Sequence, residues 1–278
     1  MSLKIRKRLN NFRYLFTGGS NSGKMADGHP VLEALLKRRS CRRFTDEPIS
    51  DEALSAILEA GRFAPSSVNL QTWAFITFTH EEWQETFGTK IPFNANRAIV
   101  VCSDVHRIGR ILTEFVTDTL LSHTMAVFNA GLAAMAMTMA AEGLGLSSVM
   151  LSDTGKSGLL DIPFLKEKMH LLEGVIPIAT IALGYRKTAS TGIPPRFQKR
   201  DVVFRQKYGP LYREDLDDWY QQMKMGYKLT NLTSTFENKL RYYLSRFNDA
   251  EAALQKAVFK KTDHSEINNR GENGNRKK

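Results

Sequence analysis

The chain has 278 residues, of which 42% are hydrophobic and 24% are charged, and its formal net charge is +10. This length suits one or two domains, and the composition excludes a collagen-like or wholly disordered chain. The two cysteines, Cys41 and Cys102, are too few for a disulfide framework or a four-thiolate zinc site. They favour a reducing compartment, so we expect a cytoplasmic protein.

The positive charge lies in the two tails. Residues 1–24 carry six basic side chains and no acid, residues 256–278 carry a net charge of +4, and the body between them is neutral overall. Nucleic-acid binders concentrate positive charge on the folded face that docks, so we expect no nucleic-acid partner. Residues 1–24 contain no apolar run of a secretory signal. Their composition suits a flexible extension better than an organellar presequence, which stays the alternative.

Local patterns predict helices and strands in mixed order. A short helix is expected over residues 30–39, and a second begins after the N-cap Ser50 and ends near Pro65. Residues 108–142 are expected to be helical in two pieces. Strands are expected at residues 73–78, 98–102, 146–151 and 176–183. The order lacks regular βαβ alternation and therefore predicts an α+β fold.

The predicted organisation has four parts. A basic, flexible extension over residues 1–29 precedes the main domain, residues 30–224. A C-terminal helical extension, residues 225–261, precedes a disordered polar tail, residues 262–278. Within the extension, apolar residues recur at alternating steps of four and three. We interpret them as an amphipathic helix lying on the body or on a partner subunit, with a coiled coil as the alternative.

The longest apolar stretch runs from Thr124 to Ala141. It is nearly as long as a membrane span, for which about 20 residues are needed. Small residues on all its sides, together with Asn129, favour close packing inside a protein. We therefore expect a buried helix and no membrane span.

Two partial motifs fail on inspection. Gly18 to Lys24 matches a phosphate-binding loop, but Met25 stands where the hydroxyl for Mg²⁺ is required. His80 begins a zinc-protease pattern, but Gln84 replaces the second histidine. The six histidines show no ligand spacing, so no metal site is expected.

Four arginines stand within six residues, Arg38 to Arg43, and Ser40 lies among them. Such a density of cations at a helix end is costly without an anion, and the guanidinium fork suits a phosphate. A solvated basic turn is an equally good interpretation of these residues alone. A second basic loop, residues 192–200, is weak evidence by itself.

A polar segment lies between a predicted helix and a predicted strand. Its side chains include two hydroxyls, Ser66 and Ser67, and two amides, Asn69 and Gln71. Amides offer both a donor and an acceptor, so this set can bind the edge of a heteroaromatic ring. A capped turn would explain only part of it.

Together, these segments resemble the FMN-dependent nitroreductase family. The resemblance rests on Arg38 to Phe44 followed by T-D-E-P-I-S, on P-S-S-x-N-x-Q, on E-G-L-G-L after the small-residue helix, and on I-P-I to Gly184-Tyr185. It covers residues ~30 to 210, and P-P-R-F-Q before Tyr208 looks most like the NADPH-preferring branch. The family implies an α+β fold with a central, mostly antiparallel sheet flanked by helices, in an intertwined homodimer with FMN at the subunit interface.

The resemblance also implies roles by position. One set would hold the phosphate, ribityl chain and pyrimidine edge of tightly bound, non-covalent FMN: Arg38, Arg39, Ser40 and Arg42. Another would reach the flavin from the partner subunit: Pro65, Ser66, Ser67 and Asn69, with Gln71 beside them. Backbone near flavin N5 would come from Met150, Leu151 and Ser152. A phosphate of FMN or of the nicotinamide cofactor would be bound by Arg196 and Lys199, with Lys156 as a further candidate.

Three positions depart from the family pattern. Thr72 and Arg186 stand where proline is common, and residues 153–156 lack the usual second glycine after the third strand. The last departure leaves the register of the contact to N5 open.

The expected function is an NAD(P)H-dependent reductase acting on small aromatic electron acceptors, which are nitroaromatics, quinones or free flavin. The flavin carries the difficult chemistry, and the protein places it. Because Arg196 could bind a 2′-phosphate, NADPH is the expected reductant ahead of NADH. The alternatives are a flavin-binding sensor or carrier without turnover, and a reductive dehalogenase of the same fold.

Overall fold

The computed structural model describes residues 28–152, 158–188, 194–231 and 233–259. The predicted extension over residues 1–29 and the tail from residue 262 fall almost wholly outside these ranges, as does Lys156. The first half of the described chain contains α1 (Pro30–Lys37), α2 (Asp51–Arg62), β1 (Trp73–Phe78), α3 (His80–Phe87), β2 (Arg97–Asp104), α4 (His106–Ile111) and α5 (Leu120–Gly143). The second half contains β3 (Ser147–Leu151), α6 (Ile162–Lys168), β4 (Val175–Gly184), α7 (Lys199–Val202), α8 (Arg213–Thr230), α9 (Phe236–Ser245) and α10 (Phe247–Val258).

The four strands form one sheet in the order β1-β2-β4-β3, and every neighbouring pair is antiparallel. Helices cover both faces. The predicted α+β fold with a mostly antiparallel sheet is therefore confirmed.

Strand β2 shows how period-two burial builds the two sides of the core. Val100 and Cys102 pack with Trp83 of α3 on one face. Ile99 and Val101 pack on the other face with helices α2 and α5. Because both faces are covered, the strand is apolar almost throughout rather than alternating with polar residues.

Helix α5 lies against the second face of the sheet. Its small side chains permit close packing, and a Cβ added to Gly61 of α2 would come within 2.7 Å of Met137 Cγ. By length and composition alone this helix could cross a membrane, yet nine of its residues are buried inside the protein. Its packing in the core accounts for part of its hydropathy.

The same helix also presents apolar side chains away from the core. Leu121 is 69% exposed and Phe128 is 62% exposed in a single chain, and Leu120 and Met135 are exposed as well. Large apolar side chains repeated along one exposed helix face indicate an interaction surface.

Helix α3 is absent from the sequence prediction. The signal for it is a capping box, in which Thr79 Oγ1 accepts from the Glu82 N–H and the Glu82 carboxylate accepts from the Thr79 N–H. That T-x-x-E pattern is readable from the sequence. The sequence prediction treats His80 to Gln84 only as an incomplete metal-binding motif.

The C-terminal region is helical, but the predicted single amphipathic helix is divided into two helices, α9 and α10, at Arg246. The Arg246 guanidinium donates to the Leu160 carbonyl at 3.0 Å and pairs with Asp161 at 2.6 Å. Val258 of α10 packs against Ile162 and Ile176. The second half of the predicted amphipathic helix therefore lies on the body of its own chain. Helix α8 runs without a break through residue 224, where the main domain was predicted to end.

Candidate functional site

The arginine segment, residues 38–44, extends alongside the sheet. The Cys41 N–H donates to the Ser148 carbonyl, the Thr45 N–H donates to the Tyr185 carbonyl, and the Lys187 N–H donates to the Arg43 carbonyl, each at 2.9 Å. These backbone bonds place the segment beside β3 and the end of β4.

The side chains of the arginine segment divide between core and surface. Cys41 and Phe44 are buried, whereas Ser40, Arg42 and Arg43 are exposed and Arg38 and Arg39 are half-buried. Phe44 lies so close to Gly184 that a Cβ there would meet its ring at 2.7 Å. The buried side chains therefore hold the segment, which leaves the arginines available for a ligand.

Arg39 is the centre of a cationic cluster. Its Nη1 donates to the carbonyls of Leu36 and Arg38, each at 2.7 Å. Burial lowers the pKa of its guanidinium, and the positive charges of Arg196, Arg38 and Arg186 lower it further, while Glu142 raises it. The fold thus brings the second basic loop to the first. We call Arg38, Arg39, Arg186 and Arg196 the arginine cluster.

Aromatic stacking and an ion pair attach the second basic loop to helix α8. The Phe197 ring stacks on Trp219 with centroids 4.5 Å apart, and Arg200 pairs with Asp215. Next to them, Arg196 Nη1 donates to the carbonyls of Pro194 and Pro195, each at 3.2 Å. Lys199 is exposed at the start of α7. Helix α8 therefore determines where Arg196 lies.

The polar loop, residues 65–72, is held by a buried side chain of helix α5. Asn129 Oδ1 accepts from the Ser67 N–H at 3.1 Å and from the Ser67 hydroxyl at 3.2 Å. Its Nδ2 donates to Thr72 Oγ1 at 2.9 Å. Thr72 therefore supplies an acceptor that the proline common in the family could not supply.

The backbone of the polar loop is strained at its tip. Val68, Asn69 and Gln71 have φ values of 51°, 57° and 49°. Such values are uncommon outside glycine, and a β-branched residue there is an outlier of the kind that clusters at functional sites. Val68 is also 88% exposed. The tip is thus held in a costly conformation and points away from its own core.

Hydrogen bonds inside the loop orient the predicted ligand-binding side chains. Ser66 Oγ accepts from the Gln71 N–H at 3.0 Å, and the Gln71 amide donates to Asn69 Oδ1 at 3.4 Å. Pro65 is exposed beside them. Three of the polar residues predicted for this segment, Ser66, Asn69 and Gln71, are therefore linked to one another, whereas the Ser67 hydroxyl donates to Asn129.

The arginine segment and the polar loop lie at opposite corners of the sheet. The polar loop enters the start of edge strand β1, next to Ser103 at the end of β2. The arginine segment contacts the other edge strand at Ser148 and lies near the opposite end of β2. Three strand spacings correspond to about 14 Å across the sheet, and six residues add roughly 20 Å along it. One chain does not bring the two halves of the predicted site together.

The residues predicted to lie near flavin N5 are found at the end of strand β3. Leu151 is buried and is paired with Thr180, and Ser152 is half-buried. Sequence reasoning missed Glu142 and Arg186 as members of the site. In the sequence, Arg186 stands out only as a replacement for a common proline, and Glu142 only as part of the E-G-L-G-L motif.

Comparisons with known proteins agree with this architecture. A model described as the nitroreductase family matches residues 35–185, just over half of the chain. Oxygen-insensitive NADPH nitroreductase of Salmonella typhimurium is 29% identical over 74% of this chain and 85% of that protein. FMN reductase (NAD(P)H) of Bacillus subtilis is 29% identical over 64% of this chain and 74% of that protein. The solved structure of NfrA2 from B. megaterium has a TM-score of 0.67 at 26% identity, covering 82% of this chain and 97% of that one. The chain therefore belongs to the nitroreductase family.

Proposed function

We propose that this protein is an FMN-dependent oxidoreductase that uses NAD(P)H to reduce nitroaromatics, quinones or free flavin. The relatives named NADPH nitroreductase and FMN reductase support this reaction class. The observation that carries the proposal is the arginine cluster. In this cluster, three further guanidinium groups lie within electrostatic range of Arg39.

The cluster fits the phosphate of FMN. Burial and the charges of Arg196, Arg38 and Arg186 lower the pKa of Arg39, and Glu142 acts on it in the opposite direction. A phosphate between these groups would supply the missing negative charge and accept several charge-assisted hydrogen bonds. We therefore assign Arg196 to the FMN phosphate rather than to the 2′-phosphate of NADPH.

The rest of the cofactor is assigned by the same reasoning. Ser40 would bind the ribityl chain, and Arg42 would lie at the pyrimidine edge, where a cation stabilises negative charge. Arg42 is exposed, with its guanidinium 5.9 Å from the centroid of the Phe93 ring. FMN held there would supply the redox chemistry at its N5 atom, between NAD(P)H and the small aromatic acceptor. The chain around Leu151 and Ser152 would shield that atom from water.

The site requires two copies of the chain. The opposite positions of the polar loop and the arginine segment support a homodimer in which the polar loop of one subunit reaches the flavin held by the other. The exposed apolar face of α5 suits the interface. Obligate dimers commonly bury more than ~2,000 Å² in such an interface.

The absorbance spectrum of the purified protein tests the cofactor. We expect the bands of oxidised flavin, and heat release followed by chromatography should give one FMN per subunit. Addition of NADPH under argon should bleach the spectrum, and a quinone should restore it. A colourless protein that does not take up FMN would contradict the proposal, and bleaching without turnover would indicate a carrier.

Initial-rate kinetics test the mechanism. If NADPH and the acceptor occupy the same face of the flavin in turn, double-reciprocal lines should be parallel. Intersecting lines would show that both are bound at once, and would reject the shared site.

We expect the reaction to take place in the cytoplasm, with no membrane and no nucleic acid as partners.

A further inference from the structure

Glu142 is the carboxylate that faces the arginine cluster. It lies near the end of α5, and its Oε2 is 3.9 Å from Arg186 Nη2. Arg186 is oriented by a second contact, because its Nε donates to Ser147 Oγ at 3.1 Å. Glu142 Oε1 is buried and has no hydrogen-bond partner among the described residues. The carboxylate therefore faces the positive charge of Arg186 without the hydrogen bonds that a buried carboxylate usually accepts.

The field on Glu142 comes from two elements. Burial raises the pKa of the carboxyl group above its ordinary value, and the charges of Arg186 after β4 and of Arg38 and Arg39 after α1 offset only part of that rise. The positive charge of Arg196 lowers the pKa of Arg39, so the second basic loop lies within electrostatic range of the same cluster. A phosphate bound to the same arginines would be a second anion competing for the same cations.

We propose that Glu142 is the internal counter-ion of the arginine cluster, and that the phosphate of FMN replaces it as the partner of the arginines. The inference rests on the proposed placement of that phosphate. An ionised Glu142 stabilises the cofactor-free cluster by pairing with Arg186 and by offsetting the charges of Arg38 and Arg39. The same charge repels the incoming phosphate. Protonation or neutralisation of Glu142 removes that repulsion.

Titration of FMN into cofactor-free protein, followed by quenching of flavin fluorescence, tests the proposal. Glu142→Gln should bind FMN about three- to tenfold more tightly than the unsubstituted protein at pH 8, as expected for one nearby charge at the effective dielectric constant of a protein. Because burial raises the pKa of Glu142, lowering the pH toward 5 favours its protonated form, and the ratio of the two dissociation constants should fall toward one. The ratio cancels the titration of the phosphate itself.

Two controls isolate the charge and the phosphate. Riboflavin lacks the phosphate and should bind both proteins equally at both pH values. Glu59→Gln removes an exposed carboxylate that pairs with Arg62 on α2, and its ratio should stay at one. Glu142→Asp keeps the charge, so the ratio of its FMN dissociation constant to that of the unsubstituted protein should also stay near one. If Glu142→Gln does not fold, Glu142→Met neutralises the position with a side chain of similar length.

The outcomes separate this inference from the proposed function. Equal or weaker FMN binding by the neutral variant at pH 8 overturns the counter-ion, as does an equal gain for riboflavin. Failure of the unsubstituted protein to bind FMN at any pH overturns the proposed function as well.

Discussion

The arginine segment and the polar loop are positioned by different kinds of interaction. Backbone hydrogen bonds to the sheet hold the arginine segment, and its buried anchors are Cys41 and Phe44. The polar loop depends on hydrogen bonds from one buried side chain, Asn129. Single substitutions in the arginine segment should therefore change charge more than shape. A single substitution at Asn129 should change the shape of the whole loop.

The largest expected effect comes from separating the two regions physically. Phe128→Glu puts a charge on the exposed apolar face of α5, and we expect it to yield a monomer that does not retain FMN. Light scattering should give a mass near 31.4 kDa instead of twice that value. Leu172→Glu, also at an exposed position but in the turn after α6, is the matched control and should stay dimeric with its flavin. A monomeric variant that keeps full FMN binding would show that one chain contains the whole site.

Substitution of Asn129 tests the loop directly. Asn129→Ala removes three hydrogen bonds and leaves Ser67 and Thr72 without their partner, so we expect a loss of about 2–4 kcal/mol in the free energy of unfolding. Urea titration of the cofactor-free protein measures it. Thr138→Val, which removes a local hydrogen bond on the same helix, should cost less than about 1 kcal/mol. Equal losses in the two variants would mean that Asn129 has no special role.

Substitution in the arginine cluster should produce the opposite pattern. Arg39→Met removes a charge-assisted contact of about 1.5–3 kcal/mol, so the dissociation constant of FMN should rise roughly 10- to 150-fold. Because the lost guanidinium is repelled by its neighbours, the free energy of unfolding without cofactor should fall little. Arg196→Met should weaken FMN binding in the same way. Once the variant is saturated with FMN, its KM values for NADPH and for NADH should change by the same factor. A selective effect on the KM for NADPH would instead assign Arg196 to the 2′-phosphate.

The smallest effect concerns the attachment of the second basic loop. Trp219→Leu removes the stack on Phe197 and should weaken FMN binding about two- to tenfold, in line with 0.5–1.5 kcal/mol for an aromatic pair. Trp219→Phe should restore most of that affinity. Tyr243→Leu breaks another aromatic contact, with Phe247, and should leave FMN binding unchanged. If the two Trp219 variants and Tyr243→Leu all bind FMN with the same affinity, helix α8 does not position Arg196.

Local patterns predicted most of the fold. The strand expected at residues 73–78 is β1, and Ser50 caps α2 by accepting from the Ala53 N–H. These features depend on residues only a few positions apart. The break at Arg246 was not predicted, because the apolar spacing continues through it. A tertiary contact with Asp161 accompanies the break at this position.

The candidate site was predictable only as separate segments. The density of arginines at residues 38–43 and the amides of the polar loop indicated a phosphate and a ring edge. Asn129 was visible only as a polar residue in an apolar helix, since its partner Ser67 is 62 positions away. No sequence pattern indicated that Glu142 and Arg186 are partners, since Arg186 follows β4 and Glu142 lies in α5, 44 positions earlier in the chain.

The sequence by itself determined the family, the order of helices and strands, and the chemical character of the two segments that would bind FMN. These properties follow from residue type and from short-range periodicity. The tertiary structure decided which arginines share one electric field, which carboxylate opposes them, and that the two segments lie at opposite corners of the sheet. Those relations depend on strand pairing between residues far apart in the chain, and charges act through space regardless of their separation in sequence.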